Sequence, residues 1–151
     1  MHDPGEGNRM IRVKHLLERK GNAVETIEAS RPVLEALEVM AQHEIGALPV
    51  MRNGELVGML SERDYARKVV LLGRTSAETE VARIMASPVV TVEPNDTVNH
   101  CMQLMTDRRF RHLPVLDDGK LVGIVSIGDL VRAQIEEAQD TIRELERFIS
   151  G

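Results

Sequence analysis

Residues 26–70 lie over residues 91–135 at one constant offset of 65, without a gap, and fourteen positions are then identical. Thr26 meets Thr91, Glu28 meets Glu93, Val33 meets Val98 and Met40 meets Met105. Leu48-Pro49-Val50 meets Leu113-Pro114-Val115, Gly54 meets Gly119, and Leu56-Val57-Gly58 meets Leu121-Val122-Gly123. Ser61, Asp64 and Arg67 meet Ser126, Asp129 and Arg132. Two unrelated amphipathic segments would share apolar positions, not Ser, Asp and Gly. The chain is a duplication, and its fold must be two copies of one small unit that shares its core with a neighbour.

Each copy reads in the order β-α-β-β-α. A β-branched run, Ala23 to Ile27 or Val89 to Val92, predicts a strand. Ser30 and Asn95 stand where a helix N-cap is expected. Helical spacing follows, with Val33, Leu34, Leu37, Met40 and Ala41 on one face, and Val98, Cys101, Met102 and Met105 on the counterpart. The runs Ala47 to Met51 and Leu113 to Leu116 predict buried strands, and Leu56 to Leu60 and Leu121 to Val125 their return strands. Asn53-Gly54 and Asp118-Gly119 are tight-turn pairs between them. A second helix starts after Ser61 or Ser126. Short helices at Val13 to Arg19 and Val81 to Ala86 precede the copies, and Leu72 to Glu80 reads as the linker.

Composition fits this architecture. Of 151 residues, 42% are hydrophobic but only 2% aromatic, so the core must be built from aliphatic side chains, with eight Met as adaptable filling. A net charge of −5 lacks the footprint of a general nucleic-acid binder. The single cysteine, Cys101, excludes an intramolecular disulfide and fits a reducing compartment and the helix core. No run approaches the roughly 18 apolar residues of a membrane span. The first ten residues, including His2, read as a disordered leader rather than a secretory signal. These features point to a cytoplasmic chain with no membrane partner.

The chemistry lies in Gly58-Met59-Leu60-Ser61-Glu62-Arg63-Asp64 and its copy Gly123-Ile124-Val125-Ser126-Ile127-Gly128-Asp129. An acid in the first turn of a helix is favoured by the helix dipole. Its two oxygens can accept both hydroxyls of a ribose. The serine hydroxyl and the free helix N–H groups can meet a phosphate, and a neighbouring apolar strand can take a purine ring. One copy alone would read equally well as a capping box with no ligand; two copies in register favour the ligand. Charge marks a phosphate side: Arg63, Arg67 and Lys68 surround Asp64, while Arg108, Arg109, Arg111 and His112 precede the second strand pair. Their first-copy counterparts, His43, Glu44, Gly46 and Ala47, make this cluster asymmetric. His100 beside Cys101 has no second ligand pair for a zinc site, His15 reads as exposed, and no metal is expected. Neither a nucleophile–base pair nor a Gly-rich phosphate loop is present.

The Leu-Pro-Val strand, the Asn-Gly or Asp-Gly turn, the Leu-Val-Gly return and the Ser-x-x-Asp helix start, each present twice over residues 11–135, resemble the tandem CBS-domain pair, or Bateman module. The resemblance implies an α/β (α+β) fold of two β-α-β-β-α repeats related by a pseudo-twofold and packed as one globule. It implies a stand-alone, non-catalytic regulatory module with an adenine nucleotide in the cleft between the repeats. AMP is the first expectation and NAD, ADP or ATP alternatives; S-adenosylmethionine binders and members that bind nothing also occur in the family. Asp64, Asp129, Ser61 and Ser126 would hold ribose, and Arg63, Arg67, Lys68, Arg111 and His112 phosphate. Thr26, Ile27, Ala47, Leu48, Thr91, Val92, Leu113 and Pro114 would form the adenine pocket.

The helical pattern continues past the repeat, with Val131, Ile135, Ala138, Ile142, Leu145 and Ile149 spaced as an a/d seam. This long C-terminal helix is expected to make a homodimer; the alternative is that it folds onto its own module. The organisation is thus a leader (1–10), repeat 1 (11–71), a linker (72–80), repeat 2 (81–135) and an assembly helix (136–151). An unidentified effector protein would read the nucleotide-dependent pose. A ligand-free interaction module acting through the last helix is the alternative function, and an enzyme acting on the nucleotide comes last.

Overall fold

A computed structural model describes residues 10–21 and 23–150; most of the expected leader lies outside them. The elements are α1 (Val13–Lys20), β1 (Ile27–Glu28), α2 (Val33–His43), β2 (Ala47–Arg52), β3 (Glu55–Ser61), α3 (Glu62–Tyr65), α4 (Val98–Arg108), β4 (His112–Asp117), β5 (Lys120–Ser126) and the long α5 (Ile127–Ser150). They are mixed α and β, as the repeat predicts. The chain divides into two units: residues 24–90 form one, and residues up to 23 with those from 91 onward form the other.

In the 24–90 unit, β1 pairs parallel with β2, and β2 antiparallel with β3. Asn53 and Gly54 both adopt positive φ, 53° and 79°, as a two-residue hairpin requires. In the other unit β4 and β5 repeat the hairpin, with Asp118 and Gly119 at 52° and 80°. Even the register shift recurs, at Val50/Met51 and at Val115/Leu116. The first strands are shorter than their apolar runs predict: Ala23 to Ile27 becomes Ile27–Glu28, and Val89 to Val92 becomes a single parallel bridge from Val92 to Val115. The second loss has a visible cause. Ala29 N–H donates to the Met51 carbonyl, but its counterpart Pro94 has no N–H to offer.

The expected N-caps are also displaced. Ser30 sits in a turn and Pro32 is the N-cap of α2; Thr97, not Asn95, caps α4, its hydroxyl accepting from His100 N–H. Side-chain capping at Ser30 is unnecessary, because the linker supplies acceptors: Val33 N–H donates to the Thr79 carbonyl and Leu34 N–H to that of Ser76. In the other unit Val98 N–H donates to Ile11. On α2 the buried face is Val33, Ala36 and Met40, while Leu34 and Ala41 are exposed, so the buried face is narrower than the helical spacing predicts. Val98, Cys101 and Met105 are buried on α4, and Met102 is half-buried. Burial pushes the Cys101 thiol up to about 11, assisted by the charge of Asp96 and opposed by a backbone hydrogen bond.

Each unit is closed by a segment preceding the other unit's copy in sequence. In the 24–90 unit, Val81 and Ala82 N–H donate to the carbonyls of Arg31 and Ala29. The expected helix Val81 to Ala86 is only a 3-10 turn, Val81–Arg83, after which the chain is extended enough for Ala86 to bridge Met59. In the other unit α1 does the same work: Val13 and Lys14 N–H donate to Asp96 and Pro94. The two glycines of the motif make the crossings possible. A Cβ on Gly58 would meet Met85 Sδ at 2.4 Å and the Ala86 carbonyl oxygen at 3.1 Å; one on Gly123 would meet Leu17 Cδ2 at 2.4 Å.

Gly58→Ala should therefore cost about 1–3 kcal/mol by overpacking against the 84–86 segment. A urea midpoint lowered at constant slope is the expected result, and an unchanged midpoint would mean that the crossing is loose.

Candidate functional site

The strand–helix junction recurs in both units with the same local bonding. Ser61 ends β3 in extended conformation, and its Oγ accepts from Asp64 N–H at 3.2 Å; Asp64 Oδ2 accepts in return from Ser61 N–H at 3.0 Å and Ser61 O–H at 2.9 Å. Asp129 N–H donates to Ser126 Oγ at 3.2 Å, and Ser126 N–H donates to Asp129 Oδ2 at 2.9 Å. This reciprocal cap follows from the Ser-x-x-Asp spacing. The preceding strand pair caps the next donor: Glu62 N–H donates to the Gly46 carbonyl, and Ile127 N–H to that of Arg111. Each carboxylate is thus held beside the start of a helix.

Beyond this shared frame the junctions differ. Lys68 Nζ stands 3.5 Å from Asp64 Oδ1 and donates to the Ile84 carbonyl at 3.1 Å. Asp129 is more buried and more heavily engaged. Lys20 Nζ donates to its Oδ2 at 2.7 Å and to the Ile124 carbonyl at 2.9 Å, and Arg132 donates to Oδ1 at 2.8 Å. Burial pushes the Asp129 carboxyl up, but hydrogen bonds from Lys20 and Ser126 and the Lys20 charge outweigh it and hold it below the ordinary value.

A small cavity of about 140 Å³ opens beside Asp129, lined by Leu16, Arg19, Lys20, Asp129, Arg132, Ala133 and Glu136. Arg19 and Glu136 form an ion pair on its rim. The volume lies below the roughly 300–1,000 Å³ of a whole small-molecule site.

The residues expected to hold phosphate are grouped by unit. Arg63 and Arg67 are exposed on α3 and the π-helical turn after it, with Lys68 half-buried beside them. Arg111 is exposed and His112 half-buried at the start of β4, where His112 pairs in register with Ser126. That register brings Arg111, His112, Ser126 and Asp129 to one end of their unit. Arg108 is exposed at the last turn of α4, and Arg109 is its left-handed C-cap. Among the expected adenine contacts, Thr26 is exposed and Thr91 half-buried, whereas Ile27, Ala47, Leu48, Val92, Leu113 and Pro114 are buried. Leu48 and Leu113 are fully enclosed and expose no surface.

Sequence reasoning missed Lys20 and Arg132 as partners of Asp129. Arg132 was visible as the repeat counterpart of Arg67. Nothing local signals Lys20, because its role depends on α1 crossing β5. Among the described residues no group of three or more His, Cys, Asp or Glu is placed to hold a metal ion, and no helix is long and apolar enough to cross a membrane.

The chain matches a known family and several solved structures. The family described as CBS domain matches twice, over residues 13–71 and 81–136. A mitochondrial CBS domain-containing protein of Arabidopsis thaliana, CBSX3, is 44% identical over 124 residues; the match spans 79% of this chain and 60% of that protein, less than two thirds of its length. A solved CBS-domain protein from Burkholderia ambifaria, which carries a provisional signal-transduction name, is 45% identical with a TM-score of 0.80, covering 83% of this chain and 94% of that one. A solved CBS domain pair in complex with 5′-methylthioadenosine and S-adenosyl-L-methionine is 26% identical with a TM-score of 0.72, over 82% and 94% of the two chains.

Lys20→Met should lower stability at neutral pH by about 1–3 kcal/mol, the upper range for a buried pair being reduced because the lysine end is partly exposed. The sign follows from a depressed carboxyl: stability from ionised Asp129 is present above the unfolded value near 3.9 and is lost as pH falls through the lower folded value. The gap between wild type and variant should therefore narrow in acid. Denaturant titrations at pH 7 and pH 3 check this, and a gap independent of pH would refute the pairing.

Proposed function

Because the chain belongs to the CBS-domain family and carries two such domains, we propose that it is a non-catalytic regulatory module that binds an adenine nucleotide. AMP is the first choice of ligand, with NAD or ATP as the longer alternatives. The observation that carries this reading is the duplicated junction, where a serine-locked carboxylate stands at a helix start in both units. Asp64 and Asp129 accept ribose hydroxyls, with Ser61 and Ser126 holding them in place. Arg63 and Arg67 supply phosphate contacts beside Asp64, and Arg111 and His112 supply them at the end of the unit that carries Asp129. The similarity to a pair solved with adenosine compounds supports the ligand class.

The two sites are unequal. At Asp64 the carboxylate keeps Oδ1 at ion-pair distance from one lysine; at Asp129 a ribose must share the carboxylate with Lys20 and Arg132. Binding there changes what α1 is anchored to. A ligand alters the balance of two conformations only through its differential affinity for them, and the Lys20–Asp129 contact supplies such a difference. An effector protein reads the resulting state. The reading places the module in the cytoplasm, as a homodimer, without nucleic acid.

A second reading, an interaction module with vacant sites, is favoured by the apolar face exposed along α5. Calorimetric titration of ligand-stripped protein with AMP, ATP, NAD and S-adenosylmethionine separates the two. Micromolar binding of one of them is expected. Asp64→Ala or Asp129→Ala should remove charge-assisted hydrogen bonds worth about 1.5–3 kcal/mol each, lowering affinity at least about tenfold. A folded variant that binds unchanged would remove the ribose role, and silence from all four compounds would favour the second reading.

A further inference from the structure

Helix α5 runs unbroken from Ile127 to Ser150. Leu130 and Ala133 are its last buried apolar residues; none from Gln134 onward is buried. Ile135, Ile142, Leu145 and Ile149 are 52%, 53%, 57% and 82% exposed, and with Val131 and Ala138 they form one stripe. A continuous apolar stripe on a water-soluble helix marks a contact surface, and its 4-3 spacing is that of a helix partner.

The charges along the stripe choose the partner and its direction. With Val131, Ala138 and Leu145 at d and Ile135, Ile142 and Ile149 at a, the flanking e positions are Arg132, Gln139 and Glu146, and the g positions Gln134, Thr141 and Phe148. In a parallel pair g faces e of the other helix, which sets Gln134 against Gln139, Thr141 against Glu146 and Ile127 against Arg132, with no charge pair. In an antiparallel pair a faces d, e faces e and g faces g. One register with its two-fold axis beside Asp140 fills every a and d position of the stripe and leaves one unmatched flank, Gln134 against Phe148. Val131 meets Ile149, Ile135 meets Leu145 and Ala138 meets Ile142 of a second copy, each contact occurring twice. The same register sets Arg132 against Glu146 twice, and Gln139 and Thr141 against their own copies. Such self-complementarity is what a two-fold interface demands.

We propose that α5 docks against α5 of a second copy of this chain, antiparallel, about a two-fold axis beside Asp140. This deepens the homodimer reading above and rests on it. Arg132, whose guanidinium holds Asp129 and whose side chain is still 69% exposed, then joins the candidate ribose site to the helix pair.

The test begins with light scattering of the unmodified chain, where a dimer mass is expected. Leu145→Glu alters a side chain exposed in the single chain, so it should leave the fold intact by circular dichroism and give a monomer mass. Nitroxide labels on a Cys101→Ala background then read the direction. Paired labels at Gln139→Cys should lie within about 20 Å, since packed helix axes are about 8–10 Å apart. Labels at Ser150→Cys should be about 30 Å apart or more, each lying ten residues of 1.5 Å rise from the axis. A monomer at all concentrations would overturn the homodimer reading and this one together. A dimer that survives Leu145→Glu would overturn the surface, and a short Ser150 distance would overturn only the antiparallel direction.

Discussion

The reciprocal bonds between a strand-ending serine and an aspartate three residues later fix the geometry of both units. Ser61 and Asp64, like Ser126 and Asp129, satisfy one another's backbone donors, so the strand must turn into a helix at that point and the carboxylate cannot swing away. The glycine three residues before each serine lets a second segment cross the same strand, Met85 over Gly58 and Leu17 over Gly123. Junction and crossing together hold a charged group in a preset place. A binding residue that is already ordered loses little freedom when a ligand arrives.

Duplication does not make the two sites alike. The copies share hairpin, register shift and cap, yet small differences break their equivalence. Pro94 removes the donor that Ala29 supplies, reducing the second parallel strand to one bridge. Lys20, at the end of α1, reaches Asp129, whereas the cation beside Asp64 is Lys68, four residues further along the chain. The second carboxylate is therefore both more buried and more fully paired. Under the proposed function, a ligand at Asp129 would compete with an internal contact and one at Asp64 with less, which would suit the first to a switch and the second to simple holding.

The repeat made most of the fold legible. Both hairpins, their Asn-Gly and Asp-Gly turns and both Ser-x-x-Asp caps follow from local residue chemistry, and the structure has them. The errors arose where distant parts of the chain decide. Ser30 looks like an N-cap, but the Ser76 and Thr79 carbonyls already satisfy the helix it would cap. Val81 to Ala86 has helical composition, but pairing of Ala86 with Met59 draws it out straight. Leu48 and Leu113 look like a ring surface in sequence and prove to be wholly enclosed core. Lys20 was illegible because no local pattern records which strand α1 will cross.

The claim at the centre is that the two serine–aspartate junctions are where an adenine nucleotide is held. Backbone amide chemical shifts, followed by NMR while AMP is added to the stripped protein, locate binding without altering a residue. Saturable shifts concentrated at Ser61, Asp64, Ser126 and Asp129, accompanied by a shift at Lys20 as its contact with Asp129 is shared, are the predicted result. Saturable shifts confined to other surfaces, with these five amides unmoved, would contradict the account.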